Sequence, residues 1–300
     1  MRLTAKRCLS QIRFKFSSRI IRYRYHAMVM AIFRDDGTEQ FEFAIPLTVG
    51  DSASTTASAP STVPLVLAKL QMPAVREHLD REWLVGLLER SRKNSSATML
   101  IGRAGSGKTV LAADFVKRTK DQSWYSIDSS DTDWTSFQRY FRAAVVRENG
   151  RRKRGRRSSV QAEAGFSPSP IELFADVTAA LELSGQDWPS VIVLDGIHHL
   201  YDCRWFPEFF SLFVASIPHK SHAVMIGRSR PAAPVWRMRS KQVLNVIDEK
   251  LLAFSLPETQ ELFDLKGLDH AAAQKVHASA FGRPSDIMAF LESASENHAL

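Results

Sequence analysis

Short hydrophobic runs alternate with longer segments of helical spacing through the middle of the chain. Continuous apolar runs occupy residues 98–101, 124–127, 191–194 and 223–226, and 243–247 is a further candidate. Between them, apolar residues recur every three or four positions in 110–116, 134–146, 171–183 and 206–217. Unbroken apolar runs are typical of strands covered on both faces, and the longer spacing predicts helices. We therefore predict an α/β fold with a parallel sheet between two layers of helices.

The pattern changes on both sides of this region. Residues 77–92 show helical spacing before the first strand, and residues 50–62 have the small, polar composition of a linker. After residue 257 the spacing is only helical, over 258–263, 271–281 and 285–291. We predict a disordered basic leader and linker over 1–62, a core over 63–250, and a C-terminal helical subdomain over 251–300.

The net charge of +8 is unevenly distributed. Residues 1–34 hold nine Lys or Arg and no Asp or Glu, and residues 151–157 hold six more. These fifteen exceed the total, so the rest of the chain is net acidic. We interpret 151–157 as a solvated insertion, with a nucleic-acid patch or a nuclear-localisation-like tract as the alternative. The leader resembles a transit peptide in composition, but a disordered segment, or a start at Met28 or Met30, is the simpler interpretation.

Cysteines and hydropathy limit the class of protein. The two cysteines, Cys8 and Cys203, suggest neither a disulfide framework nor a metal site. No apolar stretch reaches the length of a membrane-spanning helix. We therefore expect a cytoplasmic protein with no membrane contact.

The segment 102–109 reads Gly-Arg-Ala-Gly-Ser-Gly-Lys-Thr, which fits the pattern G-x-x-x-x-G-K-[ST]. It lies between an apolar run and a helical segment, as a phosphate-binding loop does. Glycines let the backbone turn its N–H groups toward phosphate oxygens, and the helix that follows presents its positive end there. We predict that this loop binds ATP and Mg²⁺, with Lys108 on the β- and γ-phosphates and the Thr109 hydroxyl on the metal. The expected cradle comprises Gly102, Ala104, Gly105, Ser106, Gly107, Lys108 and Thr109.

Two charged residues follow later apolar runs. Asp195 ends the run 191–194, where a carboxylate suits a magnesium ligand, although many strands end in Asp at a turn. Arg228 follows the run 223–226. Ligands bind at the carboxyl ends of strands in open α/β sheets, so Arg228 is a candidate for the γ-phosphate, or else an exposed loop arginine.

Several motifs together resemble the STAND NTPases, in the MalT-like branch. The resemblance covers about 65–291. It is carried by the segment 68–76 with Arg81 and Leu84, by Trp-Tyr-Ser-Ile-Asp at 124–128, by Gly-Arg-Ser-Arg-Pro at 227–231, and by Gly-Arg-Pro at 282–284. The family implies that Arg228 senses the γ-phosphate. It further implies that Arg81 belongs to the nucleotide site and that Pro284, in a helical lid, lies near the base.

The chain departs from the family in one residue of the site. The family has a second acid directly after the strand-end Asp, where it orients the attacking water, and this chain has Gly196. Without that carboxylate we expect slow or absent hydrolysis. We interpret the neighbouring pair His198 and His199 as structural, with a catalytic role as the alternative. Asp202 is a possible replacement acid.

Two functions remain open. The first is an ATP/ADP-binding switch module of a signal-responsive, MalT-like transcriptional regulator, for which self-association or a regulator partner is expected. The chain ends at residue 300, without the DNA-binding region of that family, so we expect no sequence-specific DNA binding by this chain alone. The second function is an active AAA-type ATPase acting on DNA or protein complexes. A small-molecule kinase would need an acceptor site and a base, and the sequence suggests neither.

Overall fold

The structure is a computed structural model and describes residues 65–75, 78–146 and 166–298. Among the predictions above, those for the leader and linker 1–62 and for the basic run 151–157 lie outside these residues.

Five strands form one parallel sheet. They are β1 (Ala97–Ile101), β2 (Gln122–Ser126), β3 (Val191–Asp195), β4 (His222–Gly227) and β5 (Leu244–Ile247). Their order across the sheet is β2-β3-β4-β1-β5, and every pairing is parallel. In register, Ile101 pairs with Gly227, and Asp195 pairs with Ile226. The carboxyl ends of β1, β4 and β3 therefore lie side by side.

Helices connect and flank the strands. They are α1 (Glu82–Asn94), α2 (Lys108–Lys117), α3 (Trp134–Val145), α4 (Pro170–Ser184), α5 (Phe206–Ser216), α6 (Val235–Ser240) and α7 (Glu249–Leu252). Short 3-10 turns occupy Leu67–Leu70, Ser129–Asp131 and Ile197–Leu200. Three further helices complete the described chain: α8 (Leu256–Leu265), α9 (His270–Ala280) and α10 (Pro284–His298).

Side-chain alternation along the strands divides the core into two layers. In β1, Met99 packs with α3, α4 and α5, whereas Leu100 packs with α1 and α2. Residues of β3 and β4 alternate in the same way. Because successive strand residues point to opposite faces, both faces of a strand that is apolar throughout become buried. The three-layer α/β fold predicted from the sequence is confirmed.

A cluster of phenylalanines fills one layer. Phe141 contacts Phe174, Phe209 and Phe213 edge to face, with ring centroids 5.2–5.8 Å apart. All four rings are buried. These contacts join α3, α4 and α5 on one face of the sheet.

Element boundaries differ from the predictions mostly by one to three residues, but one helix start is clearly wrong. The helix predicted over 77–92 begins only at Glu82. Leu79, whose spacing suggested the helix, instead packs with Phe254, Leu262 and Phe263 of the C-terminal helices. Its burial there satisfies the same hydrophobic pattern without a helical backbone. The short helices α6 and α7 escaped prediction because four to six residues give too little periodicity.

The C-terminal helices have a small core of their own. Phe263, Ala273, Ile287 and Leu291 are buried in it together with Leu79. These helices occupy the region predicted as a C-terminal helical subdomain, and we refer to α8, α9 and α10 as the lid below. Across the described residues, no helix combines the length and the hydropathy needed to span a membrane.

Candidate functional site

The sheet order brings the predicted site residues to one edge. The loop 102–107 follows β1, Asp195 ends β3, and Arg228 follows β4, which lies between them. Residues separated by more than a hundred positions thus surround one cavity of about 320 Å³. We call it the phosphate cavity, and it is lined by Ala104, Gly105, Gly107, Lys108, Thr109, Val110, Asp195, Gly196, His198, Ile226, Gly227 and Arg228.

The loop after β1 curls before α2 begins. Gly105 and Gly107 have φ of 79° and 80°, in the left-handed region that other residues rarely adopt. Gly107 is the N-cap of α2, whose first turn begins at Lys108. Amides in the first turn of a helix have no intrahelical acceptor, and together with the helix dipole they favour an anion at this point.

Lys108 folds back over the loop that precedes it. Its ammonium donates to the carbonyl oxygens of Gly102 and Arg103, both at 2.6 Å, and to Ser106 Oγ at 2.9 Å. Burial lowers the pKa of Lys108, while Asp195 and Glu249 act in the opposite direction. A phosphate bound in the loop competes for this ammonium with neutral carbonyl acceptors, over which an anionic oxygen has the advantage.

Thr109 and Asp195 offer a pair of oxygen ligands. The Thr109 hydroxyl donates to Asp195 Oδ2 at 2.9 Å, and both residues line the phosphate cavity. Burial raises the pKa of Asp195, opposed by the Thr109 hydrogen bond and by Lys108. A carboxylate beside a hydroxyl suits Mg²⁺, which prefers hard oxygen ligands and few protein groups. These residues therefore fit the ion that the sequence predicts.

A second, mostly apolar cavity of about 230 Å³ adjoins the first. We call it the base cavity. It shares Gly105, Gly107 and Val110 with the phosphate cavity, so the two spaces meet at the loop. Its remaining walls come from the segment before α1, from α1, from α2 and from the lid: His78, Leu79, Arg81, Leu84, Val85, Leu111, Asp114, Phe254, Pro284, Ser285 and Met288. An apolar space beside a polar one suits a nucleotide, whose base is flat and whose phosphates are charged.

The lid touches the loop directly. The backbone N–H of Ser285 donates to the Gly105 carbonyl at 3.0 Å, and the Arg283 guanidinium donates to the Ala104 carbonyl at 2.7 Å. Pro284 lies between these residues and forms part of the base cavity wall. The family resemblance implies a role for Pro284 only. The sequence does not indicate the contacts of Arg283 and Ser285, because their partners in the loop lie about 180 positions away.

Arg81 lies in the wall of the base cavity with its guanidinium turned toward the lid. It donates to Glu258 Oε1 at 2.8 Å and to the carbonyls of Leu252 and Ala253 at 2.6 and 2.9 Å. Its guanidinium lies over the Phe254 ring, 4.9 Å from the centroid. Burial by itself raises the pKa of Glu258, but hydrogen bonds from Arg81 and its neighbours outweigh it and lower the pKa to about 2. Arg81 thus ties the segment before α1 to the lid.

Of the remaining candidates, Arg228 and Gly196 line the phosphate cavity and Asp202 does not. Arg228 lines it and is exposed. Gly196 has φ of 89°, and a Cβ there would overlap the Ile127 carbonyl oxygen. Asp202, the possible replacement acid, is exposed and is not among the lining residues. Among the residues lining the phosphate cavity, Asp195 is thus the one carboxylate.

Comparison with known proteins supports a nucleotide-binding module. A family model described as an AAA domain matches residues 91–227. The HTH-type transcriptional regulator MalT of Vibrio cholerae is 28% identical over 198 residues, which cover 65% of this chain and 21% of that protein. MalT of Yersinia enterocolitica is 30% identical over 173 residues, covering 58% and 19%. The chain therefore matches about a fifth of the length of these relatives.

A solved structure is also similar. It is a Signal Transduction ATPase with Numerous Domains from Pyrococcus horikoshii, with a tetratricopeptide repeat sensor. It has a TM-score of 0.46 and 17% identity, and the match covers 71% of this chain and 29% of that one.

Proposed function

We propose, from the premise that this chain carries a P-loop NTPase domain of the MalT-like STAND type, that it is an ATP-binding switch module with slow or no hydrolysis. One observation carries the proposal: lid and loop are in direct contact where the two cavities meet. A nucleotide bound there contacts both. Its binding therefore favours one arrangement of the lid over another, and this differential affinity is what a switch requires.

Each part of the nucleotide has proposed partners. The backbone of Gly102, Ala104, Gly105, Ser106 and Gly107 binds the phosphates. Lys108 neutralises the β- and γ-phosphates, and Arg228 reaches the γ-phosphate from the opposite wall. Thr109 and Asp195 hold Mg²⁺, which offsets the charge of the phosphates when it is bound. Pro284 and Arg81 lie on the side of the base.

Slow hydrolysis follows from the residue next to Asp195 in the wall of the phosphate cavity. Efficient attack on the γ-phosphate needs a group that orients water, and the position after Asp195 is a glycine with no room for a side chain. This favours the switch over the alternative, an active AAA-type ATPase acting on DNA or protein complexes.

The wider setting belongs to the same proposal. The matched relatives are transcriptional regulators, and this chain matches about a fifth of their length. We propose a cytoplasmic regulatory protein that works through self-association or a regulator partner. The free thiol of Cys203 agrees with a reducing compartment.

The test is a titration of the full chain with fluorescent ATP and Mg²⁺, followed by a phosphate-release assay. Lys108→Ala removes the ammonium from the phosphates, so we expect at least a tenfold loss of affinity, since a hydrogen bond to a charged group contributes about 1.5–3 kcal/mol. Lys220→Ala, at an exposed position outside both cavities, is the control and should bind normally. Unchanged affinity in Lys108→Ala would contradict the binding site. Release faster than about 1 s⁻¹ would contradict the switch and favour the ATPase.

A further inference from the structure

One polar side chain in the phosphate cavity has no role in the chemistry described so far. His198 lies on the turn Ile197–Leu200, three residues after Asp195, and lines the cavity. Neither of its ring nitrogens has a hydrogen-bond partner in the described part of the chain, although both are hidden from solvent. A buried polar atom without a partner costs free energy, so a purely structural histidine is a poor explanation of this arrangement.

The surroundings keep this ring neutral. Burial, together with the nearby His199, Arg228 and Lys108, lowers the pKa of His198 to about 4. A neutral imidazole has one N–H donor and one acceptor nitrogen. The cations that disfavour its protonation are those that attract phosphate. Because both nitrogens are hidden from solvent, the ring must turn toward the cavity to donate to an anionic oxygen, in a place where the field already favours an anion.

Lys108 and Arg228 are the cations proposed above to meet the phosphates, and the Thr109 hydroxyl donates to Asp195. The segment that follows Asp195 lines the same cavity. The residue between Asp195 and the turn, Gly196, is closed to any side chain. Ile197 is buried in the hydrophobic core. His198 is therefore the first side chain after Asp195 along the chain that can meet the end of a triphosphate.

We propose that His198 donates a ring N–H to the terminal phosphate of bound ATP and so makes the site distinguish ATP from ADP. This inference rests on the proposed function and adds a residue that recognises the γ-phosphate. It replaces the structural interpretation of His198 given by the sequence. An ADP complex has no phosphate at that point, so His198 should contribute little to ADP affinity.

The experiment compares the 300-residue chain with three variants, using AMP-PNP and ADP in the presence of Mg²⁺. His198→Ala removes the donor, and His198→Gln keeps an N–H at similar reach. His199→Ala is the matched control, because its ring centroid lies only 4.2 Å from that of His198. Calorimetry gives both dissociation constants, and thermal unfolding without nucleotide shows whether each variant is folded.

We expect AMP-PNP affinity to fall about tenfold or more in His198→Ala, as for one hydrogen bond to a charged group, with ADP affinity unchanged. His198→Gln should recover part of the discrimination, and His199→Ala should match the wild type. Should His198→Ala fail to fold, His198→Phe supplies the ring volume without the donor and carries the same comparison.

Two results would overturn the inference while leaving the proposed function intact: equal weakening of both nucleotides in His198→Ala, or no change in either. If the wild type binds neither AMP-PNP nor ADP, the proposed function itself fails.

Discussion

At the scale of single residues, backbone geometry restricts what the site can do. Gly196 has φ of 89° and faces the carbonyl of Ile127, so its lack of a side chain is required by the fold. The position where relatives of the resembled family carry an acid is thus closed in this chain. A simple substitution cannot restore the acid without moving the backbone.

We predict that Gly196→Asp destabilises the protein and does not create an efficient ATPase. Strain at positive φ costs about 1–3 kcal/mol, and the overlap with Ile127 adds to it. Gly185→Ala is the matched control, because Gly185 has φ of 65° but nothing within 4 Å of the added Cβ. Denaturant unfolding and phosphate release measure the two effects. A variant of wild-type stability that releases phosphate ten times faster would show that the position is open.

A second residue-scale feature is a buried histidine far from the site. His222 is fully buried, with Nε2 2.9 Å from Thr98 Oγ1 and Nδ1 3.0 Å from the Ser95 carbonyl. Burial lowers its pKa to about 4, opposed by the Ser95 carbonyl. Since Ser91 Oγ also lies 2.6 Å from Thr98 Oγ1, the imidazole belongs to a buried polar chain linking α1, β1 and β4.

We predict a loss of stability on acidification that depends on His222. A histidine whose pKa is lower in the fold is bound to fewer protons there than in the unfolded chain. Its stabilising contribution is therefore complete above about pH 6.5 and declines as the pH falls toward 4. The free energy of unfolding, measured from pH 7.5 to 4.5, should decline less steeply in His222→Gln than in the wild type. Parallel profiles would mean that His222 titrates normally.

At the scale of elements, the lid is held to the core by a few polar contacts and one small hydrophobic cluster. Arg81, just before α1, bonds to Glu258 of α8 and to the backbone that precedes α8. Leu79, from the segment before α1, is buried in the hydrophobic cluster of the C-terminal helices. Ser285 and Arg283 add the contacts to the loop. The segment before α1 therefore contacts the lid and also forms part of the wall of the base cavity.

We predict that Arg81→Ala loosens the lid. The Arg81 and Glu258 side chains are 11% and 15% exposed, and removing one partner of a buried pair costs about 3 kcal/mol or more. Arg118→Ala is the control, because its ion pair with Glu82 is far more exposed and screened by solvent, so it should contribute little. Hydrogen exchange should rise in α8 and α9 of Arg81→Ala only. Equal exchange in both variants would contradict the role of Arg81 in holding the lid to the core.

At the scale of the whole molecule, one ligand is expected to join the core and the lid. The base cavity draws its walls from both, and its floor is the loop. A nucleotide bound there stabilises the folded chain as a unit, because the unfolded chain has no such site.

We predict that Mg²⁺ and ATP at a hundred times the dissociation constant stabilise the protein by about 2.7 kcal/mol, which raises the Tm by about 5–10 °C for a domain of this size. Lys108→Ala should show at most about half of this shift at the same concentration, because a tenfold weaker affinity leaves about 1.4 kcal/mol of stabilisation. Thermal unfolding monitored by tryptophan fluorescence measures both. An equal shift in the two proteins would place the stabilising site elsewhere.

The sequence alone determined the elements and the loop. Unbroken apolar runs, helical spacing and the pattern at 102–109 are local, and local backbone preferences and burial are enough to predict β1, β3, β4 and the helices around them. The order of the strands depends on packing between distant segments, and only the tertiary structure placed Asp195 and Arg228 beside the loop. It also decided that Leu79 belongs to the lid, that Arg81 faces Glu258, that position 196 has no space, and that the His198 ring lacks a partner. Each of these features depends on atoms from segments far apart in sequence, and the spacing of residues along the chain does not indicate such contacts.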